Sequence, residues 1–126
     1  MLEDLDPKSP IPLYEQIASR LKAAVATGEL RPGDLLPSVR QLAGTARINP
    51  ATVTQAYRAL EFEGFVEARH GAGTFVRAIS IELRSRERGV QARRLARELL
   101  AAGARFGLTH KELQLAIRLE LEGASK

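Results

Sequence analysis

A mainly α (α+β) fold is expected, with three helices and a β-hairpin followed by two more helices. Three observations lead there. Apolar residues recur at helical spacing in 13–25, 39–46 and 53–60. Two short runs rich in β-formers, 65–68 and 73–76, flank a glycine-containing turn. Beyond Arg77 the composition shifts to Arg, Ala, Leu and Glu, mostly good helix formers.

Taken in chain order, residues 1–10 are acidic, contain proline and show no apolar period, which reads as a loose arm. Pro10 and Pro12 bracket a helix start, because proline is tolerated in a first turn. Leu13, Ile17, Leu21 and Val25 then repeat every four residues, Ala18 and Ala24 widen that face, and Gly28 suits the stop. Arg31-Pro32-Gly33-Asp34 is a turn, and Leu35-Leu36 can form a very short strand. Ser38 begins the second helix, with Gln41 three residues on as its capping-box partner. Val39, Leu42, Ala43 and Ala46 share a face, and Gly44 keeps the helix short. After the turn Ala46-Arg47-Ile48, Asn49-Pro50 supplies an N-cap and a first-turn proline. The third helix runs to about Glu63, with Val53, Ala56, Tyr57 and Leu60 inward and Gly64 as the stop. Gly71 and Gly73 provide the backbone freedom a tight hairpin needs.

Helix-turn-helix followed by a β-hairpin is a winged helix-turn-helix domain, expected over residues 10–77. The remainder, 78–126, is expected to be a short C-terminal helical appendage. One helix covers roughly 91–102 and is broken by Gly103 and Gly107; residues 79–89 either extend it or form a linker. The last helix starts at Thr109, where Glu112 completes a second capping box. Residues 112–122 alternate like a strand, but the capping box and the helix formers outweigh the alternation. As a helix, its apolar residues wrap over more than half the circumference. Burial against the preceding helix accounts for part of that. A dimer interface through Leu95, Leu99, Leu113, Leu115, Ile117, Leu119 and Leu121 accounts for the rest.

Charge carries the functional signal. Between residues 35 and 60 the chain holds Arg40, Arg47 and Arg58 and not one Asp or Glu, while Asp34 and Glu61 flank the gap. The net charge is only +4, so the local gap is more informative than the total. An acid-free cationic helix-turn-helix is what a DNA backbone requires, because a carboxylate near the phosphates would weaken binding. With Val53, Ala56 and Leu60 inward, a step of about 100° per residue puts Ala51, Thr54, Gln55 and Arg58 on the outer face. Gln suits adenine, Arg suits guanine, and a Thr methyl suits a thymine methyl. A merely solvated helix face would usually mix both signs.

Ser38, Asn49 and Thr52 lie at or near helix N-termini, where hydroxyls and free N–H groups can hold a phosphate; for Ser38 capping alone is an equal reading. Arg40 sits in a first turn, where a cation opposes the helix dipole and suggests a phosphate or base partner. Arg69, His70 and Gly71 form the hairpin tip, within reach of the minor groove or backbone, although a loop-tip Arg can also be only solubilising. Tyr57 reads as core, with a hydroxyl that could emerge to a phosphate.

Other classes find little support. There is no cysteine, and His70 and His110 match no metal spacing. His70-Gly-Ala-Gly-Thr lacks the lysine and spacing of a phosphate loop, and no nucleophile–base constellation stands out, so neither an enzyme nor a cofactor is expected. No apolar run reaches membrane-span length and no signal peptide opens the chain, so a cytoplasmic protein is expected.

Pro12-Leu-Tyr-Glu-Gln-Ile-Ala, Gly28-Glu-Leu-Arg-Pro-Gly-Asp, Leu36-Pro-Ser-Val-Arg-Gln-Leu-Ala, Asn49-Pro-Ala-Thr-Val-Thr-Gln-Ala-Tyr and Gly64-Phe-Val-Glu with Gly71-Ala-Gly-Thr-Phe-Val resemble the GntR-family winged-helix regulators. The short C-terminus with Leu108-Thr-His-Lys-Glu-Leu is similar to the YtrA subfamily, whose members carry a small dimerisation appendage in place of a large effector domain. The resemblance implies a homodimeric transcriptional repressor, often acting on transporter operons. It places DNA contacts on Arg40, around Thr52 and Thr54, and on the wing near His70 and Gly71. The chain departs from many relatives in carrying Asn49-Pro50, where an Arg is common at the second position, and Ala72, where a basic wing residue is common.

Two functions of different class remain at this point. One is a dimeric, sequence-specific transcription factor on a pseudo-palindromic operator. The other is a winged-helix protein-interaction module that reads no DNA. The acid-free window favours the first. A small-molecule effector between the C-terminal helices is compatible with either, although no residue identifies one.

Overall fold

In the computed structural model, which describes residue 2 and residues 5–124, the elements run α1 (Leu13–Thr27), α2 (Val39–Ala46), α3 (Pro50–Phe62), β1 (Val66–Arg69), β2 (Gly73–Val76), α4 (Ile81–Arg105) and α5 (His110–Ala124). The fold is mainly helical with a two-stranded antiparallel sheet, as expected. Contacts divide the chain into two compact units, residues 1–88 and 89–126.

In the first unit, α1 and α2 both pack on α3. Ile17, Val53 and Leu60 are fully buried there, joined by Leu21, Val25, Leu36 and Leu42. Each such side chain contributes about 1.5–3 kcal/mol on leaving water. The apolar stripes read from the sequence are the ones that pack: Val53, Ala56, Tyr57 and Leu60 of α3 are all buried. Local chemistry sets the ends. Gly28 closes α1 in the left-handed region at φ 85°, its N–H donating to the Val25 carbonyl. Ser38 and Gln41 form the expected capping box at α2: Ser38 Oγ accepts from the Gln41 N–H at 3.1 Å, and Gln41 Oε1 accepts from the Ser38 N–H at 2.9 Å.

The hairpin pairs Val66 with Val76, Glu67 with Phe75, Ala68 with Thr74 and Arg69 with Gly73. The Leu35-Leu36 segment lies along β2 as a single bridge, Leu35 opposite Phe75. The Leu36 N–H donates to the Thr74 carbonyl at 2.9 Å, and the Val76 N–H to the Asp34 carbonyl at 2.8 Å. Gly73 is needed at that seam. Its φ is +119°, and a Cβ there would meet Leu35 Cδ1 at 2.8 Å.

Helix α4 resolves an open alternative at its start and departs from expectation at its end. It begins at Ile81 and ends at Arg105, so residues 81–89 are helix and not linker. Ser80 starts it, Oγ accepting from the Leu83 N–H at 3.0 Å, and no proline interrupts the Arg, Glu and Leu that follow. Gly103 does not break it either. In the second unit Gly103 is a buried helical residue, and a Cβ on it would meet Leu113 Cδ1 at 2.5 Å. The missing side chain is where Leu113, the buried leucine of α5, inserts. The Thr109–Glu112 capping box forms as read, with the Thr109 N–H donating to Glu112 Oε1 at 2.8 Å and the Glu112 N–H to Thr109 Oγ1 at 3.1 Å. Those bonds hold the Glu112 carboxyl below the usual carboxylate range.

Candidate nucleic-acid interface

The residues between 35 and 60 that the sequence singles out are placed by α2, α3 and the turn joining them. Arg40 lies in the first turn of α2, exposed; Arg58 is exposed on α3; Arg47 occupies the turn, also exposed. Among the described residues none of the three pairs with a carboxylate; the ion pairs given by the structure are Lys22–Glu63, Arg69–Glu67 and Arg94–Glu98. Three unneutralised cations thus lie in a stretch, residues 35–60, that holds no Asp or Glu, and the first acid after it is Glu61 near the end of α3.

Arg47 has a further property. It caps α2 in the left-handed region at φ 57° and ψ 50°, the one non-glycine with positive φ among the described residues. An L-residue there costs roughly 1–2 kcal/mol relative to glycine, which has no steric penalty. A glycine would make the same turn, so the guanidinium points to a use outside the fold.

On α3, Ala51 and Gln55 are exposed and Thr52 and Thr54 half-buried. Asn49 is the N-cap: its Oδ1 accepts from the Ala51 N–H at 2.9 Å, leaving the side-chain NH₂ to face outward partners. Ser38 has its oxygen committed to the cap, while its hydroxyl hydrogen can still be donated. A set of outward polar groups on a helix whose opposite stripe is locked in the core can approach base edges without disturbing packing.

Tyr57 does not emerge. It is 7% exposed, and its hydroxyl donates inward to the Pro37 carbonyl at 2.7 Å. Burial pushes its pKa up to about 12. The reading of Tyr57 as a phosphate contact is therefore corrected. It ties α3 to the residue just before the α2 cap, and so holds the two helices in register.

At the wing, Arg69, His70 and Gly71 are exposed. Arg69 is not free. Its Nη2 donates to Glu67 Oε1 at 2.6 Å and its Nε at 3.0 Å, and the guanidinium lies 4.4 Å from the centre of the Phe75 ring. Glu67 sits two residues before Arg69 and opposite Phe75 across the ladder, so the three share a face. Sequence reasoning missed this clamp, although the period of two could have revealed it. It also missed Glu61, whose Oε2 accepts from the Ala68 N–H at 2.9 Å and ties α3 to the wing.

In the second unit, Leu113 is buried against Gly103, whereas Leu95, Leu99, Leu115, Ile117, Leu119 and Leu121 are exposed, Leu121 at 63%. Leu113, Ile117 and Leu121 fall within an arc of about 80° on α5, and Leu115 and Leu119 on another. No group of His, Asp or Glu among the described residues is arranged to hold a metal, and none of the described helices is long and apolar enough to cross a membrane.

Comparison with known proteins agrees with this architecture. The family described as "Bacterial regulatory proteins, gntR family" matches residues 13–76, from the start of α1 to the end of β2. The chain is 47% identical over 72 residues to the HTH-type transcriptional repressor YtrA of Bacillus subtilis, a match covering 57% of this chain and 55% of that protein, little more than half its length. It is 34% identical over 116 residues to the uncharacterized HTH-type transcriptional regulator YhcF of the same organism, covering 92% of this chain and 95% of YhcF. Among solved structures, YtrA from Sulfolobus acidocaldarius, a GntR-family transcription factor, superposes with a TM-score of 0.60 at 36% identity, covering 76% of this chain and 99% of that one. The chain thus belongs to the GntR family of bacterial transcriptional regulators and is similar to its YtrA members.

Proposed function

We propose that this regulator is a cytoplasmic repressor that binds a pseudo-palindromic operator as a homodimer. Residues 10–77 read DNA and residues 78–126 join two copies. The observation that supports the reading is the acid-free stretch of residues 35–60, through α2 and most of α3, with its three exposed arginines that pair with no carboxylate. On this reading Arg40, Ala51, Thr54, Gln55 and Arg58 meet base edges or nearby phosphates. Ser38, Arg47, Asn49, Thr52, Arg69, His70 and Gly71 meet backbone. The exposed leucines of α4 and α5 support self-association, because a monomer would leave them in water. The similarity to Bacillus YtrA, a repressor, supports the sign of regulation.

Phosphate neutralisation gives the test. Arg40, Arg47, Arg58 and Arg69 are presented twice by a dimer. If about half of the eight meet phosphates, log affinity should fall against log salt with a slope near −4, at about −0.9 per contact. The operator is first selected from a random duplex pool, then titrated by fluorescence anisotropy across a salt series. A slope near zero would remove the physical basis of the reading, and absence of any binding would favour the interaction module. Sedimentation equilibrium at micromolar protein should return a dimer; a monomer, or a dimer indifferent to Ile117→Glu with Leu121→Glu, would sink the homodimer.

A further inference from the structure

Behind the proposed DNA face the first unit contains a cavity of about 610 Å³. Its walls come from Leu21 of α1, Leu42 of α2, Tyr57 of α3, and Leu30 and Leu36 of the segment between α1 and α2. Three helices and a loop make it a pit, not a groove along one helix, so it suits a small molecule better than a partner's helix. Its volume falls in the range of about 300–1,000 Å³ typical of small-molecule sites. Among the described residues no charged side chain lines it. A charged ligand would lose its hydration there with no counter-charge in return, so a neutral one is favoured. Two hydroxyls supply the polar groups. Thr45 is exposed at the rim, and Tyr57, whose O–H is committed to the Pro37 carbonyl, keeps lone pairs that can accept. Leu2 completes the wall. The sequence reads residues 1–10 as a loose arm, yet residues 5–11 are fastened to α1. Gln16 Nε2 donates to the Asp6 carbonyl at 2.8 Å and the Ile11 carbonyl at 2.7 Å, and Gln16 Oε1 accepts from the Asp6 N–H at 2.8 Å. Leu2 lies upstream of that tether, packs against the core and is half-buried. It belongs to no helix, so this side can yield to an entering molecule without a helix moving.

We propose that this cavity is an effector site for a neutral, largely apolar small molecule that carries an N–H or O–H donor. The apolar body packs among Leu21, Leu36 and Leu42, and the donor reaches the Tyr57 hydroxyl oxygen. The effector role rests on the DNA-binding reading above; the site itself does not. Coupling follows from what the walls carry. Leu42 lies on the helix that bears Arg40, and Tyr57 on the helix that bears Thr54 and Arg58. A molecule wedged among α1, α2 and α3 shifts one set of groups relative to the other, and hydrogen bonds to base edges tolerate little displacement. Occupancy therefore weakens operator binding, and by linkage the operator weakens the ligand by the same factor.

The probe is N-phenyl-1-naphthylamine, an uncharged apolar amine with a single N–H, whose fluorescence rises on leaving water. It is titrated into the full-length protein carrying isotope-labelled leucine methyls. It should move the methyl signals of Leu21, Leu30, Leu36 and Leu42. The exposed leucines of α4 and α5 are the competing surface; shifts confined to Leu95, Leu99, Leu115, Leu119 and Leu121, or no binding, overturn the site. Ala46→Phe, which puts a ring on a residue lining the cavity, should weaken the probe about tenfold or more. Should that variant melt below the assay temperature, Leu30→Phe takes its place with the same expectation. A folded, filled variant that binds the probe like wild type overturns the site. Saturating probe should weaken operator binding about fivefold or more, and saturating operator should weaken the probe equally. Probe bound in the cavity with operator affinity unchanged overturns the effector role. Wild type that binds no operator at all overturns the regulator reading and the effector role with it, while the methyl shifts still decide the site.

Discussion

Replacing Glu67 with glutamine should tighten DNA binding. Arg69 is held by Glu67 through two hydrogen bonds and rests on Phe75, so a phosphate must take the guanidinium from a carboxylate before it can use it. Both side chains are about half exposed, Arg69 at 55% and Glu67 at 44%. An ion pair of that exposure is worth about 0.2–1 kcal/mol. Two wings per dimer give about 0.4–2 kcal/mol, or roughly a 2- to 30-fold gain in affinity. The ring contact survives the change and keeps the guanidinium presented. Where Arg69 meets no phosphate in the wild-type complex but does in Glu67→Gln, the salt slope should steepen by up to about 1.8, from 0.9 per wing. Anisotropy titrations at several salt concentrations measure both quantities. The control is Glu67→Gln in an Arg69→Ala background, where the gain must vanish if it acts through Arg69. Unchanged affinity, or a gain that persists without Arg69, would refute the idea that Glu67 restrains the wing.

Three further outcomes are expected. Arg40→Ala should weaken operator binding by about 1–3 kcal/mol at an unchanged melting temperature, whereas Leu60→Ala, at a fully buried position, should lower stability by about 2–5 kcal/mol; wild-type binding by Arg40→Ala would show the contact assignment to be wrong. Gly103→Ala must push Leu113 aside and should destabilise the C-terminal helix pair by about 1–3 kcal/mol, seen as earlier loss of the dimer on dilution, while Gly89→Ala, with open space around the new methyl, should stabilise α4 by up to about 1 kcal/mol. Tyr57, with its pKa raised by burial to about 12, favours the fold fully below pH 10 and loses that contribution as pH climbs from about 10 through 12, about 2–3 kcal/mol in all; denaturant unfolding across that range should flatten in Tyr57→Phe, and an equally steep decline there would assign the alkaline loss to other groups.

Much of the winged helix could be read from the chain because its signals are local. Ser38 with Gln41, Asn49 with Pro50 and Thr109 with Glu112 mark helix starts through bonds spanning at most three residues. The stripe of Val53, Ala56, Tyr57 and Leu60 is a matter of period alone. What stayed hidden depends on distant partners. Gly103 reads as a helix breaker until Leu113 is seen to need its space. Arg84 looks like one arginine among many until its Nη1 is seen to donate to the Val25 and Ala26 carbonyls at the end of α1, whose last turn has no basic residue. The hydroxyl of Tyr57 could point either way on the sequence, and only the Pro37 carbonyl decides it. At the candidate interface the missing acids around Arg40, Arg47 and Arg58 were legible, and so was the strand period that puts Glu67 beside Arg69, whereas the Phe75 ring beneath that guanidinium required the strand register.

The left-handed turn at Arg47 sets two selective pressures against each other. Every folding event carries the steric cost of an L-residue at φ 57°, and glycine would remove it at that one position. A population sorted for thermal survival alone should therefore drift toward glycine at residue 47. One sorted for operator occupancy should hold arginine despite the heat lability. A sequencing readout of both sorted libraries would separate the pressures, and glycine enriched in the two alike would show the guanidinium to be idle. If arginine persists only under occupancy sorting, the margin of stability in this domain is partly a record of what it binds.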